Sequence, residues 1–256
     1  MPTKPFHRIY RKVKSGHPNA GSSSISYIQD PDYAQSPTHY VRAYNLIQND
    51  LQKLFEYIEP SMQSREAYSF RIHELLMRTC IEIEANFKAI LSENTFTPEV
   101  GRFGPIFNMS VYKKVNHSHH LSDYEILLPE WNGDRRIWKP FEAWGNGESI
   151  EWYQSYNASK HDRKEAFSEA NLEVLINAVA GLLVLLSSQF ETQDFSAGSV
   201  LLSVGGYDYH ELEPAIGSMF RIKFPDTWAE DELYDFDWRD LKDQENRFQK
   251  FNYDEV

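Results

Sequence analysis

The residues best placed to do chemistry stand at 156–163: Tyr156, Asn157, Lys160, His161, Asp162 and Arg163. In a helix, Asn157 and His161 are four apart and share a face, with Lys160 and Arg163 beside them. An imidazole is the natural general acid or base near neutral pH. Neighbouring cations stabilise the charge that develops on a phosphate. A histidine, an amide and two cations within about two turns supply what metal-independent RNA cleavage needs. The same residues also suit a polar cap at a helix junction, with His161 bonded to a backbone carbonyl. Spacing leaves both readings open.

Other clusters are less specific. His117, His119 and His120 lie close enough to hold zinc or nickel, but only Asp123 stands near as a further ligand, so the stretch reads as a surface loop. His210 with Asp208 and Glu211 is weaker still. Arg71, Glu74, Arg78, Glu82 and Glu84 lie on the second helix, with Arg71 to Glu74 and Arg78 to Glu82 spaced as exposed ion pairs. Arg78 or Glu82 turned inward would instead orient His161. Tyr207, Tyr209, Tyr234, Phe236 and Trp238 are interleaved with acids that repel phosphate, which suits a core or interface better than base stacking. The chain has no Walker loop, no dinucleotide-binding glycine motif, no nucleophile elbow and no zinc-finger spacing, so no cofactor is implied.

These residues need helices to position them. Val41, Tyr44, Ile47, Leu51, Leu54, Phe55 and Ile58 form one apolar stripe over 39–58, and Pro60 ends it. Ser61 or Ser64 is placed to cap a second helix over 65–91, and the short link makes the two an antiparallel hairpin. Prolines and glycines break the pattern over 92–149, which reads as an insertion with short helices near 107–115 and 138–144 and with Trp131, Trp138 and Trp144 as anchors. Helix resumes over 151–161. The strongest helix, 165–190, is apolar on nearly every side around Leu182 and is expected at the centre. Short strands are expected at 199–204 and 219–224. Alternation at 234–238 would place Tyr234, Phe236 and Trp238 on a third edge strand, with a helix start as the alternative.

The fold class is therefore mainly α. The expected organisation is a basic, partly flexible arm over 1–38, a helical domain over 39–192 carrying the insertion, and a small acidic β-containing appendage over 193–256. The chain has 256 residues, enough for a substantial core, and a formal net charge of −12 that argues against broad, sequence-independent grip on nucleic acid. Residues 1–29 carry no acid and read as a solvated arm, while 226–256 carry eleven acids against four basic residues. The two ends are thus able to attract each other, within one chain or between two. A single cysteine, Cys80, allows no internal disulfide and fits a reducing, cytoplasmic setting. The apolar run 178–186 is too short to span a membrane by itself, so no membrane partner is expected.

The two-helix hairpin followed by Asn157-x-x-x-His161 leading into a long apolar helix resembles the HEPN superfamily, over about residues 39 to 190. That resemblance implies an all-helical and often dimeric fold. Many members are metal-independent RNases of toxin and antiphage systems that use an Arg-x(4–6)-His motif, commonly with a polar residue after the arginine. Asn157 matches the polar position and His161 the histidine. Tyr156 stands where the arginine belongs, and neither Ser155 nor Gln154 replaces it. A tyrosine cannot hold a phosphate bidentately. Either Arg163 or Lys160 substitutes for the arginine, or the site is inactive and the fold serves binding, as a homodimer or with an RNA or protein partner. Tyr156 favours the second. A dimer of this type is expected to bring two copies of 150–164 together.

Overall fold

The computed structural model describes residues 1–14, 22–134, 136–195, 212–217 and 219–256. Helix α1 (Pro37–Phe55) buries Val41, Tyr44, Ile47 and Leu51 along the stripe their spacing dictates. A turn follows in which the Ser64 hydroxyl bonds the Glu59 carbonyl and accepts from the Ser61 amide at 3.2 Å. Neither serine therefore caps helix α2 (Phe70–Glu93). Ser69 does so, its hydroxyl accepting from the Ile72 amide at 3.2 Å. The helix starts five residues later than expected because residues 65–68 pair elsewhere. The Ala67 carbonyl accepts from the Leu172 amide at 2.8 Å, and the Arg65 carbonyl from the Glu173 amide at 2.9 Å. The α1–α2 hairpin is tied by Arg78 of α2, which bonds Asp50 of α1 rather than Glu82. Arg71 and Glu74 pair at 3.2 Å as their spacing implies.

The stretch after α2 is built of short pieces. Strands β1 (Val100–Gly101) and β2 (Gly104–Pro105) form a hairpin. Helices α3 (Met109–Lys113) and α4 (Asn116–His119) precede strands β3 (Glu125–Leu127) and β4 (Ile137–Trp138), and helix α5 (Glu142–Gly145) follows. Trp131, Trp138 and Trp144 are all buried, with the Trp131 and Trp138 rings edge to face at 5.2 Å. Helix α6 (Glu151–His161) and helix α7 (Arg163–Ala166) then lead to helix α8 (Leu172–Phe190). The expected continuous helix from 165 is interrupted because Asn171 is extended, bridges to Tyr68, and caps α8 by accepting from the Val174 amide at 3.0 Å.

Helix α8 is buried from Ala178 through Phe190 and packs against α2, α1 and α6. It is long and apolar enough to cross a membrane by length and composition, yet its surface is covered by the rest of the fold. Gly181 permits one of those contacts: a Cβ there would stand 3.2 Å from Trp152 Cζ2 and 3.5 Å from Pro140 Cβ.

The β structure is not confined to the C-terminal part. Strand β5 (Glu213–Pro214) and strand β6 (Arg221–Lys223) join the insertion in one antiparallel sheet of order β4-β3-β6-β5. The 219–224 strand is thus present as β6. The 199–204 strand, with Tyr207, Asp208, Tyr209, His210 and Glu211, lies outside the described residues. Residues 234–238 form no edge strand. Tyr234 makes one isolated bridge to Val13, and helix α9 (Trp238–Leu241) begins where the alternative reading put it. Tyr234 and Phe236 are nevertheless buried, against Tyr27, whose ring lies 5.8 Å and 5.6 Å from theirs.

The N-terminal segment is not solvated. Arg8 and Ile9 are fully buried, and Arg11 nearly so. Phe6 bridges Gln249 and Val13 bridges Tyr234, both in parallel, so the basic segment lies along the acidic one within a single chain. Lys14 and Glu230 form an ion pair at 2.9 Å. The histidine stretch is likewise no surface loop. His119 is fully buried, its Nε2 donates to the Arg8 carbonyl at 2.9 Å, and its Nδ1 faces the Ser118 hydroxyl at 2.8 Å. Among the described residues no group of three or more metal-ligating side chains gathers.

Burial pushes the His119 imidazole down from 6.5 to about 3, because the charged ring would lose its hydration. A group depressed in this way binds more protons in the unfolded chain between those two values, so stability falls as pH drops from 6.5 toward 3. Lowering pH from 7 to 5 should cost about 2 kcal/mol through this residue. Urea denaturation at the two pH values checks it: His119→Gln should lower stability at pH 7 and flatten that part of the pH dependence.

Candidate functional site

The candidate residues sit at the C-terminal end of α6 and in α7. Helix α6 runs antiparallel to α2, since Tyr153 of α6 contacts Glu84 of α2 while Arg163, beyond the end of α6, lies over Phe70 at the start of α2. Tyr156 and Lys160, four apart on α6, meet on one face, a pair the spacing reading did not draw, and the Lys160 ammonium donates to the Tyr156 hydroxyl at 3.1 Å. What the sequence could not supply is the third partner. Glu84 Oε1 accepts from Tyr153 at 2.9 Å and from Tyr156 at 3.4 Å. Glu84, rather than Arg78 or Glu82, is the α2 side chain that reaches α6.

Tyr156 is almost wholly buried. Burial raises its phenol above the ordinary tyrosine range, opposed by the Lys160 hydrogen bond and reinforced by the Glu84 carboxylate. The hydrogen bond to Tyr156 raises the Lys160 ammonium in turn, and burial opposes it. Both groups therefore keep their ordinary charge at neutral pH. Lys160 is exposed along its length, but its nitrogen is directed to a phenol rather than to an open anion site.

His161 is exposed, and its ring makes no hydrogen bond among the described residues. It closes no helix end. Asp162 does that, accepting from the Glu165 amide at 3.4 Å to start α7. Asn157 is half-buried. The Arg163 guanidinium lies 5.8 Å from the centre of the Phe70 ring, a cation–π distance. The four candidates thus occupy one corner of the fold, and only Lys160 is held by a hydrogen-bonded partner.

Beside Arg163 stands an aromatic group; periodicity assigns Tyr68 and Phe167 to apolar core stripes, but Tyr68 is 54% exposed and Phe70, outside the stripe, 69% exposed. The Phe167 ring packs against Phe70 at 4.9 Å, Tyr68 at 5.7 Å and His73 at 5.7 Å. The signal was available, because Phe70 falls on the polar side of the α2 stripe. The buried Arg8 was also missed, since a basic N-terminus carries no local mark of burial.

A comparison with family models, curated proteins and solved structures finds no match for this chain.

Two substitutions separate the structural and chemical parts of this corner. His161→Ala should change stability by less than about 0.5 kcal/mol, as at exposed sites without special contacts. Tyr156→Phe should cost about 0.5–1.5 kcal/mol, the net worth of a buried hydrogen bond. Thermal and urea unfolding of the two variants beside wild type measure both.

Proposed function

We propose that this chain is a HEPN-like helical protein of bacterial defence or toxin–antitoxin type, acting in the cytoplasm, whose degenerate site serves dimerisation or partner binding rather than cleavage. The finer fold reading belongs to the same proposal: a HEPN-like bundle of α1, α2, α6 and α8, with an insertion and a C-terminal β-containing part. One observation carries it. The residue in the arginine position, Tyr156, is buried and bonded to Lys160 and Glu84, so the Lys160 cation is engaged by a phenol. A phosphate held near His161 would lack the convergent donors that phosphoryl chemistry requires.

A second reading rests on His161 itself. Its ring is open to solvent and without a hydrogen bond among the described residues, as a general acid or base awaiting substrate would be. In that reading the protein is a metal-independent RNase. His161 moves the proton, Asn157 orients it or the ribose 2′-hydroxyl, and Arg163 or Lys160 releases its present contact to hold the phosphate.

An assay on mixed single-stranded RNA with EDTA present decides between them. The first reading expects no cleavage above background and no difference between wild type and His161→Ala. EDTA-resistant cleavage that disappears in His161→Ala and falls by about two orders of magnitude in Arg163→Ala, the usual cost of a lost charge-stabilising donor, would establish the second.

A further inference from the structure

We infer that the seam between α1 and α2 is a docking groove for one amphipathic helix of a partner protein. That helix lies parallel to α1, with an acidic residue at the Arg78 end and a basic residue at the Glu56 end. The seam is a surface apart from the α6 corner, and the inference stands independently of the reading proposed there.

A groove of about 710 Å³ opens between the end of α1 and the first turns of α2. Its floor is apolar: Leu75 is buried, and Leu54 and Ile58 are half-buried. Its rim is polar and exposed, with Tyr57 85% open to solvent. Small-molecule pockets enclose their few polar groups. An apolar centre inside an exposed rim of Tyr and Arg is the make-up of a protein-docking surface. Apolar side chains continue past the groove. Just beyond the Asp50–Arg78 bridge stand Leu46, one turn earlier on α1, and Ile81, one turn later on α2, 54% and 58% exposed. From Leu46 to Tyr57 the seam runs about 16 Å, or three helical turns.

Charge gives the occupant its sequence. At one end Asp50 accepts from Arg78 and, at 3.0 Å, from Lys53. Two cations share one carboxylate, so this end keeps a positive charge unbalanced. Neither cation is used up, because a guanidinium carries five N–H donors and an ammonium three. At the other end Glu56 is exposed and makes no ion pair among the described residues, and Tyr57 follows it. On the facing rim Arg71 and Glu74 pair at 3.2 Å and cancel. The groove is thus positive at one end, apolar in the middle and negative at the other. Three carboxylates in its lining, Asp50, Glu56 and Glu74, repel a phosphate backbone.

Asp50 and Glu56 stand about 9 Å apart along the axis, and on a docked helix seven residues span about 10 Å and return to the same face. An acid at position i then meets Lys53 and Arg78. Apolar residues at i+3 and i+4 meet Leu54, Ile58 and Leu75. A lysine or arginine at i+7 meets Glu56 and the Tyr57 ring. A further apolar residue one turn before the acid meets Leu46 and Ile81. An acid preceding a base is the order the helix macrodipole favours, and it sets the partner helix parallel to α1.

The test uses the full chain and two fluorescein-labelled helical peptides of about five turns. One carries Leu, Glu, Leu-Leu and Lys in that order on its contact face. The other has Glu and Lys exchanged and is otherwise identical. Fluorescence anisotropy should show the first peptide binding at least about fivefold more tightly, the scale of two exposed charge pairs turned from attractive to repulsive. Tyr57→Ala and Glu56→Lys alter exposed side chains at the end of α1, and circular dichroism should show both variants folded. Each should weaken the first peptide by about threefold or more. The double variant Lys53→Glu/Glu56→Lys should invert the preference, so that the second peptide binds more tightly. No binding of either peptide at millimolar concentration, equal binding of both, or a preference that the double variant leaves unchanged would overturn the proposal. So would a free chain that sediments as a dimer and is dissociated by Tyr57→Ala, since the seam would then belong to a second copy.

Discussion

From Ala178 onward, helix α8 has no face that it can show to water. From Ala178 to Phe190 every residue is buried, so the remainder of the chain must wrap it completely. The hairpin of α1 and α2 covers one side, and α6 and the aromatic insertion cover others. Burying a side chain of Leu or Val size is worth about 1.5–3 kcal/mol. Leu182, Leu183, Val184, Leu185 and Leu186 are all fully buried, so leaving one side of α8 open would forfeit several such contributions at once. The insertion is thus part of the core: Phe141 and Trp152 pack edge to face at 6.0 Å over the bare backbone at Gly181.

The same constraint creates a difficulty at the C-terminal end of α8, where Ser187, Ser188 and Gln189 are also buried. Polar groups buried without partners cost more than most contacts return. The Ser188 hydroxyl is satisfied within α8 by the Leu185 carbonyl, the Ser187 hydroxyl has no partner among the described residues, and the N-terminal segment meets several of the remaining groups. The Tyr10 amide donates to the Ser188 carbonyl at 2.9 Å, and the Tyr33 hydroxyl to the Gln189 carbonyl at 2.6 Å. Arg8 donates to the Gln189 side chain at 2.8 Å, to Glu93 at 2.6 Å and to the Gln35 carbonyl at 2.5 Å. One guanidinium so ties the end of α2, the approach to α1 and the end of α8. A buried ion pair of this kind does not add much net stability, but removing one partner strands the other charge. The N-terminal segment is therefore held by polar satisfaction as much as by its attraction to the acidic C-terminal segment.

Much of this organisation was legible in the sequence, because periodicity reports burial. The stripes of α1, α2 and α8 and the three tryptophan anchors all follow from it. What escaped depends on contacts between distant segments. Residues 65–68 look helical, yet they pair with the start of α8, and no local signal predicts that. Arg8 and His119 read as solvated because their types are usually exposed; their partners lie on α8, α2 and the N-terminal segment itself. At the candidate site the sequence placed Asn157 and His161 on one helix, but it drew no bond between Tyr156 and Lys160. It could not identify Glu84, which enters from α2.

Glu84 also explains why position 156 suits a tyrosine here. The carboxylate sits between α2 and α6, partly screened from water, and needs donors that do not themselves demand full solvation. Two phenols from Tyr153 and Tyr156 supply hydrogen bonds while filling the apolar space between the helices, their rings 5.2 Å apart. Lys160 then completes the charge balance from the rim, where its ammonium stays hydrated. An arginine at 156 would satisfy Glu84 more strongly, but its charge would then be bound to α2 rather than available at the surface. In either case the inner face of α6 is committed to holding α6 against α2. Chemistry at this corner would have to come from His161, exposed at the end of α6, and Arg163 at the start of α7.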